Sequence, residues 1–229
     1  PPDRDEPQKL ARSVSLMGLK HCVITSVDRD DLPDGGASHW AASVRAVREA
    51  NPDTTIEVLI PDFDGKGELI DVVLASAPDI VGHNIETVER LTPQVRSRAR
   101  YRVSLATLKH IADSGATAKS GLMLGLGESE EEVLATIGQY LRPTLKHLPV
   151  AEYVNPEKFA WYKEEALRRG FVYVESGPMV RSSYMAERAM QRCRETAAGA
   201  TSQPEQHAAT HSTPVAEERS SAEQTLTKQ

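Results

Sequence analysis

The amino-acid sequence predicts an α/β fold of parallel βα units, and three observations carry that reading. Short apolar runs recur as far as Gly125, most clearly Cys22-Val23-Ile24 and Ile56-Glu57-Val58-Leu59-Ile60. Segments with apolar residues at helical spacing separate them. Polar residues of chemical interest follow directly on the runs: Asp28, Arg29 and Asp30; Asp62; Asn84 and Glu86; Glu128. That edge of a parallel sheet is where α/β folds bind ligands.

Each element has its own signal. Leu10, Val14, Met17 and Leu19 recur at roughly helical spacing and Gly18 offers a stop, after which Cys22 to Ser26 reads as a buried strand. Ser38 is expected to cap a helix reaching about Ala50, with Trp40, Val44 and Val47 on one face. Ile56 to Ile60 is a strand stopped by Pro61; Leu69, Val72, Val73 and Leu74 mark a helix, and Ile80-Val81 a strand. Ser104 is expected to cap a helix carrying Leu105, Leu108 and Ile111, and Gly121 to Gly125 reads as a strand. Periodicity leaves a barrel, a partial barrel and a doubly wound sheet open.

After Glu128 the pattern breaks. Ser129 and Glu132 have the spacing of a capping box opening a helix to Ile137. That helix is only about two turns, or ~12 Å, and Gly138 follows at once. A crossover back along a parallel sheet needs at least ~10 to 12 residues before the next strand, so one repeat unit reads as cut out here. Asn155-Pro156-Glu157 opens another helix, expected to end near Gly170, and Phe171 to Val174 reads as a strand. From about Glu187 the chain turns to Ala, Thr, Ser, Glu and Gln, which cannot bury enough surface to offset ordering entropy. Residues 1–186 are therefore expected to form the folded domain and 187–229 a disordered polar tail. His207 and His211 in that tail have the spacing of a helical metal pair, but such a tail argues for solvated side chains.

Composition narrows the function. With 33 acidic against 27 basic residues and a formal net charge of -6, the chain is not a general nucleic-acid or anionic-membrane binder. A small molecule or another protein is the expected partner. Two cysteines, Cys22 and Cys193, cannot complete a disulfide framework or a thiolate cluster site. Cys22 in its apolar run reads as a buried small hydrophobe. No apolar run reaches the roughly 18 residues of a membrane span, and the charged first residues lack a signal-peptide pattern. A reducing, soluble compartment is expected, and the missing initiator Met suggests that residue 1 is not a natural start.

Four stretches carry chemistry, each with a plainer reading beside it. Thr25-Ser26-Val27-Asp28-Arg29-Asp30-Asp31-Leu32 packs three aspartates and an arginine behind a strand, where they hold a polar ligand or form a solvated loop. His83-Asn84-Ile85-Glu86-Thr87 sets an amide and a carboxylate two residues apart, a weak signal for gripping a ribose diol. Lys119 to Glu128 holds glycines at 121, 125 and 127 that let a ligand approach the backbone or simply form a tight turn. Gly177 to Tyr184 places Ser182 and Ser183 after Arg181, as a helix cap or a phosphate clamp would. No G-x-S-x-G nucleophile elbow is present, which disfavours an α/β hydrolase.

In this order, these segments resemble the lipoyl synthase family of radical S-adenosylmethionine enzymes. Gly18 to Leu32, Glu57 to Asp62, His83 to Val88, Lys119 to Glu128, Gly138 to Val150 and Gly177 to Ala186 all look like that family's signature stretches. The resemblance implies a partial (β/α) barrel, S-adenosylmethionine as cofactor and two four-iron clusters. One cluster, held by a C-x-x-x-C-x-x-C motif, splits S-adenosylmethionine to a 5′-deoxyadenosyl radical, which removes hydrogen from C6 and C8 of an octanoyl chain on a carrier-protein lysine. Sulfur from the auxiliary cluster is then inserted. The implied partners are an octanoylated carrier, either a lipoyl domain or the glycine-cleavage H protein, an iron-sulfur carrier and an electron donor; bacterial cytoplasm is the implied setting, and organellar members exist.

By position, Asp28 and Arg29 would line the S-adenosylmethionine site, Asn84 and Glu86 would contact its ribose or amino-acid part, and Lys119 would meet its carboxylate. Gly121, Gly125 and Glu128 would shape the adenine side. Ser183, or else Ser182, would ligate the auxiliary cluster, with Arg181 steadying it. The chain departs from the family in two respects. The cysteine motifs, which lie upstream of the position of residue 1 in the family, do not occur here. About fifteen family residues, a helix and a strand, have no counterpart between Ile137 and Gly138, so that either a strand is lost or residues 136–140 replace it. These residues alone are therefore expected to lack turnover, and the alternative reading is a non-catalytic remnant that binds S-adenosylmethionine or the carrier.

Overall fold

A computed structural model describes residues 1–133, 137–139, 154–180, 188, 191 and 195. The first helix, α1 (Glu6–Met17), begins before the apolar stripe because Pro7 occupies its first turn, and it ends at Gly18 in the left-handed region, φ 61°. Strand β1 (His21–Thr25) follows. Helix α2 (Ala37–Ala50) is not capped by Ser38 as the sequence suggested, since Gly36 holds the cap position. The Asp34 carboxylate instead accepts the N–H groups of Gly36 and Ser38, both at 3.0 Å. Those bonds, Ser38 foremost, hold its carboxyl below the usual carboxylate range.

The repeat continues with β2 (Thr55–Leu59), α3 (Gly67–Leu74), β3 (Ile80–Gly82), the short α4 (Thr92–Val95) and α5 (Tyr101–Asp113). Ser104 lies inside α5 rather than at its start. The expected strand at Gly121 to Gly125 is preceded by a separate two-residue piece, giving β4 (Ala118–Lys119) and β5 (Leu122–Leu124).

All pairings in the first sheet are parallel, and its order is β1-β2-β3-β4. Helix α1 packs on α2, α2 on α3 and α3 on α5. A doubly wound sheet would reverse its strand order and place helices on both faces. Sequential order with neighbouring helices in one layer is the winding of a partial (β/α) barrel. Cys22 and Ile24 of β1, Ile56 and Val58 of β2 and Val81 of β3 point into this helix layer, meeting Ala11, Val14, Trp40, Val44, Val47, Ile70, Val73 and Ile111.

Between Gly125 and Val133 the expected helix is reduced to a 3₁₀ turn, Glu130–Glu132. The Glu132 half of the capping box is formed, its carboxylate accepting the Ser129 N–H at 2.7 Å. Ile137 belongs to strand β6 (Ile137–Gln139), which lies parallel to β5 in register Leu122 to Ile137. Residues from the 136–140 stretch thus take the place of a barrel strand. Helix α6 (Pro156–Arg168) starts as expected, with Asn155 Oδ1 accepting the Lys158 N–H at 2.7 Å, and its Phe159 and Tyr162 join Ile85, Val88, Leu91, Leu122, Leu124 and Val133 in a second core.

Residues 171–174 are not a strand. Phe171 and Val172 are exposed and only Val174 is buried, so the run has no apolar face to pair. Beyond 180 the described residues Arg188, Gln191 and Glu195 are helical and exposed. The rest of the 187–229 stretch, His207 and His211 included, lies outside the described residues.

Asp79 ties this architecture together at the start of β3. One carboxylate oxygen accepts the Ile56 N–H of β2 at 2.8 Å and the Arg48 guanidinium of α2 at 2.5 Å. Asp79→Ala leaves both donors without their acceptor and is expected to lower unfolding free energy by about 1.5–3 kcal/mol in a urea titration. A loss within about 0.5 kcal/mol, the range of ordinary surface changes, would show that the bond is dispensable.

Candidate ligand site at the carboxyl edge of the sheet

Because strand side chains alternate, the residues not facing the helix layer project from the opposite, concave face. On β1 these are His21, Val23 and Thr25, and on β2 Thr55, Glu57 and Leu59, none of them part of the core under the helix layer. Lys119 of β4 reaches this face, donating from Nζ to Glu57 Oε1 at 2.6 Å. Its register partner on β3 is Gly82 while that of Glu57 is Ile80, so the bond runs diagonally across β3.

Past the strand ends the chain builds a polar rim. The Glu86 N–H bonds the Gly121 carbonyl at 3.0 Å and the Glu86 carbonyl accepts the Met123 N–H at 2.9 Å, so the 84–86 segment carries β3 over to β5. Glu86 holds the left-handed region, φ 66°, an uncommon state for a non-glycine residue and one that occurs at functional sites. The Asn84 amide lies directly over Gly121, where a Cβ would come within 2.8 Å of Asn84 Oδ1. Glycine at 121 thus gives the Asn84 amide its seat, which a Cβ would take away.

The Gly125 to Glu128 turn is a closed unit. Gly125 and Gly127 have φ of 105° and 97°. Glu128 accepts the N–H of Gly125 at 2.6 Å and that of Leu126 at 2.9 Å, so its carboxylate shapes the loop. Arg90 clamps the loop from outside, donating to the Gly127 carbonyl at 2.7 Å and to both Glu132 oxygens. Its guanidinium pulls the Glu132 carboxyl down to about 2.

Asp28 and Arg29 line a cavity of about 150 Å³ between the loops that follow β1 and β2, together with Asp62, Lys66, Arg96 and Arg98. Asn84, Glu86 and Lys119 are not among the described residues lining it. Arg29 is engaged bidentately by Asp31, both bonds at 2.7 Å. Arg96 is anchored through Ser104, whose hydroxyl oxygen accepts from it at 2.8 Å and lies 2.9 Å from His83 Nε2. His83 Nδ1 donates to the Ile60 carbonyl at 2.9 Å, which leaves Nε2 to accept from Ser104. Burial, the larger cause, and the nearby Arg96 charge hold this imidazole below its ordinary range.

The structure therefore brings Asn84, Glu86, Gly121 and the Gly125–Glu128 turn to one rim, with Lys119 on the concave face below it and Asp28 and Arg29 in a neighbouring cavity. Arg181, Ser182 and Ser183 lie outside the described residues. Sequence reasoning missed Glu57 and His21 as parts of the site. The available signal was a lone carboxylate inside the apolar run Ile56 to Ile60, which a buried strand accepts only with a charged partner.

The family model described as the Radical SAM superfamily matches residues 2–139. Among curated relatives, "Lipoyl synthase" of Bacteroides fragilis is 57% identical over 201 residues, covering 82% of this chain and 70% of its own length. The protein of the same name from Parabacteroides distasonis is 55% identical, covering 82% and 72%, and that of Treponema denticola is 52% identical, covering 82% and 69%. The chain belongs to the lipoyl synthase family. Since 82% of 229 residues is about 188 against the 201 spanned, about thirteen positions of these relatives have no counterpart here.

Two tests follow from the geometry. Gly121→Ala forces Asn84 out of place and is expected to cost about 1–3 kcal/mol, as overpacking does; an unchanged urea midpoint would show that the seat yields freely. For His83, the unfolded imidazole takes up a proton near pH 6.5 while the buried one does so only at lower pH. Stability therefore falls as pH drops through about 6.5, by up to about 1.4 kcal/mol per unit. Urea titrations between pH 7.5 and 5.5 are expected to show a shallower fall in His83→Gln, and equal slopes would sink the assignment.

Proposed function

We propose that this chain carries the S-adenosylmethionine-facing part of a lipoyl synthase, whose family reaction inserts sulfur at C6 and C8 of an octanoyl group on a carrier-protein lysine. The observation that carries this reading is the convergence of Asn84, Glu86, Gly121 and the Gly125–Glu128 turn on the carboxyl edge of parallel strands, next to the face opposite the helix layer. The Asn84 amide, seated on Gly121, and the Glu86 carboxylate suit ribose hydroxyls. Lys119 supplies a cation for an amino-acid carboxylate, while Asp28 and Arg29 flank the approach. S-adenosylmethionine would supply the adenosyl group and the sulfonium leaving group of the family's chemistry.

Iron-sulfur chemistry is a separate matter, because the donors do not fit. Only two cysteines occur in these 229 residues. Cys22 is buried under the helix layer, and burial pushes its thiol up, away from the thiolate form that binds iron. No group of three or more His, Cys, Asp or Glu suited to a metal ion occurs among the described residues. Neither cluster therefore enters the chemistry assigned to the rim and the concave face. Ser183, with Ser182 as the alternate, is assigned as the oxygen ligand of the auxiliary cluster and Arg181 as its neighbouring cation. The partners of the full reaction are an octanoylated lipoyl domain or H protein, an iron-sulfur carrier and an electron donor, in a bacterial cytoplasm.

These residues alone are thus expected to bind S-adenosylmethionine without cleaving it. Calorimetric titration with S-adenosylmethionine, and anaerobic incubation with iron, sulfide and dithionite followed by iron counting and 5′-deoxyadenosine detection, test both halves. Saturable binding with no deoxyadenosine is the expected result. About four irons per chain together with deoxyadenosine would overturn the inactive half, and absence of binding would overturn the site.

A further inference from the structure

The concave face carries a charged row of which two members, Glu57 and His21, have no role in the proposed reaction. Glu57 sits in the middle of β2 with its side chain 2% exposed, beneath Lys119, whose side chain is 24% exposed. On the other side is His21 of β1, 10% exposed, with Nε2 3.5 Å from Glu57 Oε2. Glu57 Oε1 is used by Lys119. Glu57 Oε2 and both ring nitrogens of His21 are buried with no hydrogen-bond partner. A buried carboxylate is costly unless paired. A strand whose neighbours on the helix side are Ile56 and Val58 would pack as well with an apolar residue at this position. Retention of the carboxylate there calls for a use.

We propose that Glu57 is the positioning residue of this site: its buried carboxylate, backed by His21, fixes the Lys119 ammonium on the concave face as the cation to which the carboxylate end of the ligand docks. The inference rests on the reading of the rim as an S-adenosylmethionine site. A lysine stem has four flexible bonds and, unlike arginine, no rigid fork to aim it. Gly82 pairs with both Leu59 and Lys119, whereas Glu57 pairs with Ile80, so the lysine stem reaches back two positions along the sheet to a carboxylate on the second strand over. The Lys119 backbone stands two positions before Gly121, where Asn84 meets that strand at the rim.

The test is a cycle of binding titrations with S-adenosylmethionine on the full chain, Glu57→Gln, Lys119→Met and the double variant, each checked for an unchanged folded far-ultraviolet spectrum. Each single change is expected to weaken binding by about tenfold, the worth of one charge-assisted hydrogen bond. The double variant is expected to be no weaker than the weaker single, because Glu57 acts only through Lys119. Nitrogen-15 spectra supply a readout that a merely structural role would not move. The Lys119 ammonium protons, held by a buried acceptor, give a resolved correlation in the parent that disappears in Glu57→Gln. Glu57→Gln binding as tightly as the parent while Lys119→Met is weakened, or additive losses, would overturn the positioning role. If the parent does not bind S-adenosylmethionine, the ligand half falls with the site reading; the ammonium signal then decides separately whether Glu57 fixes Lys119, and its persistence in Glu57→Gln overturns that half as well.

Discussion

A parallel sheet with its helix layer on one side must present every second side chain to the opposite face, and the site depends on that constraint. Cys22, Ile24, Ile56, Val58 and Val81 satisfy the helix layer. The intervening positions face the other way, and it is among them, beside the buried Ile80, that His21, Glu57 and Lys119 occur. A charge in the other register would lie against α2 or α3, among Val44, Val47, Ile70 and Val73, with no means of neutralisation. The same alternation that builds the core therefore dictates which residues can be chemical.

At the rim the organising force changes from alternation to backbone hydrogen bonding. The segment after β3 and the segment before β5 exchange bonds through Glu86, Gly121 and Met123. Glu128 closes the following turn by capping two of its N–H groups, and Arg90 holds that turn to the 3₁₀ segment beyond. These bonds fix the loops without consuming apolar surface, which is how a polar edge stays ordered next to solvent. The buried bond series from Ile60 through His83 and Ser104 does the same for Arg96, giving a surface guanidinium the orientation of a core residue.

Much of this was legible in the sequence, and the exceptions share a cause. Apolar runs and helical spacing located β1, β2, β3 and the helices α1, α2, α3, α5 and α6, because those signals come from burial against a single neighbouring layer. Caps were read less well. Ser38 and Ser104 both have a capping residue's chemistry, yet Asp34 caps α2 from outside the helix and Ser104 is spent inside α5 on His83 and Arg96. Both outcomes depend on residues distant from the local window. The same holds for Glu57, whose partner Lys119 lies sixty-two positions away, and for residues 171–174, whose β-like composition finds no second strand. Polar loops could be recognised as a site from their order along the chain, but which loops share a cavity is a property of three-dimensional winding.

The break after Glu128 shows how little chain a parallel connection needs. Twelve residues separate Leu124 of β5 from Ile137 of β6, about the minimum for a parallel crossover. A two-turn helix over that span would spend its residues at about 1.5 Å each and fall short of the start of the next strand. Extended chain advances about 3.3 Å per residue, and among the described residues of that span only Glu130–Glu132 form a helical turn. The capping box at Ser129 and Glu132 survives as the start of a helix that goes no further than Glu132. With about thirteen positions of the relatives unmatched in this chain, Ile137–Gln139 completes the edge of β5, and Leu122 and Leu124 keep a neighbouring strand beside the second core.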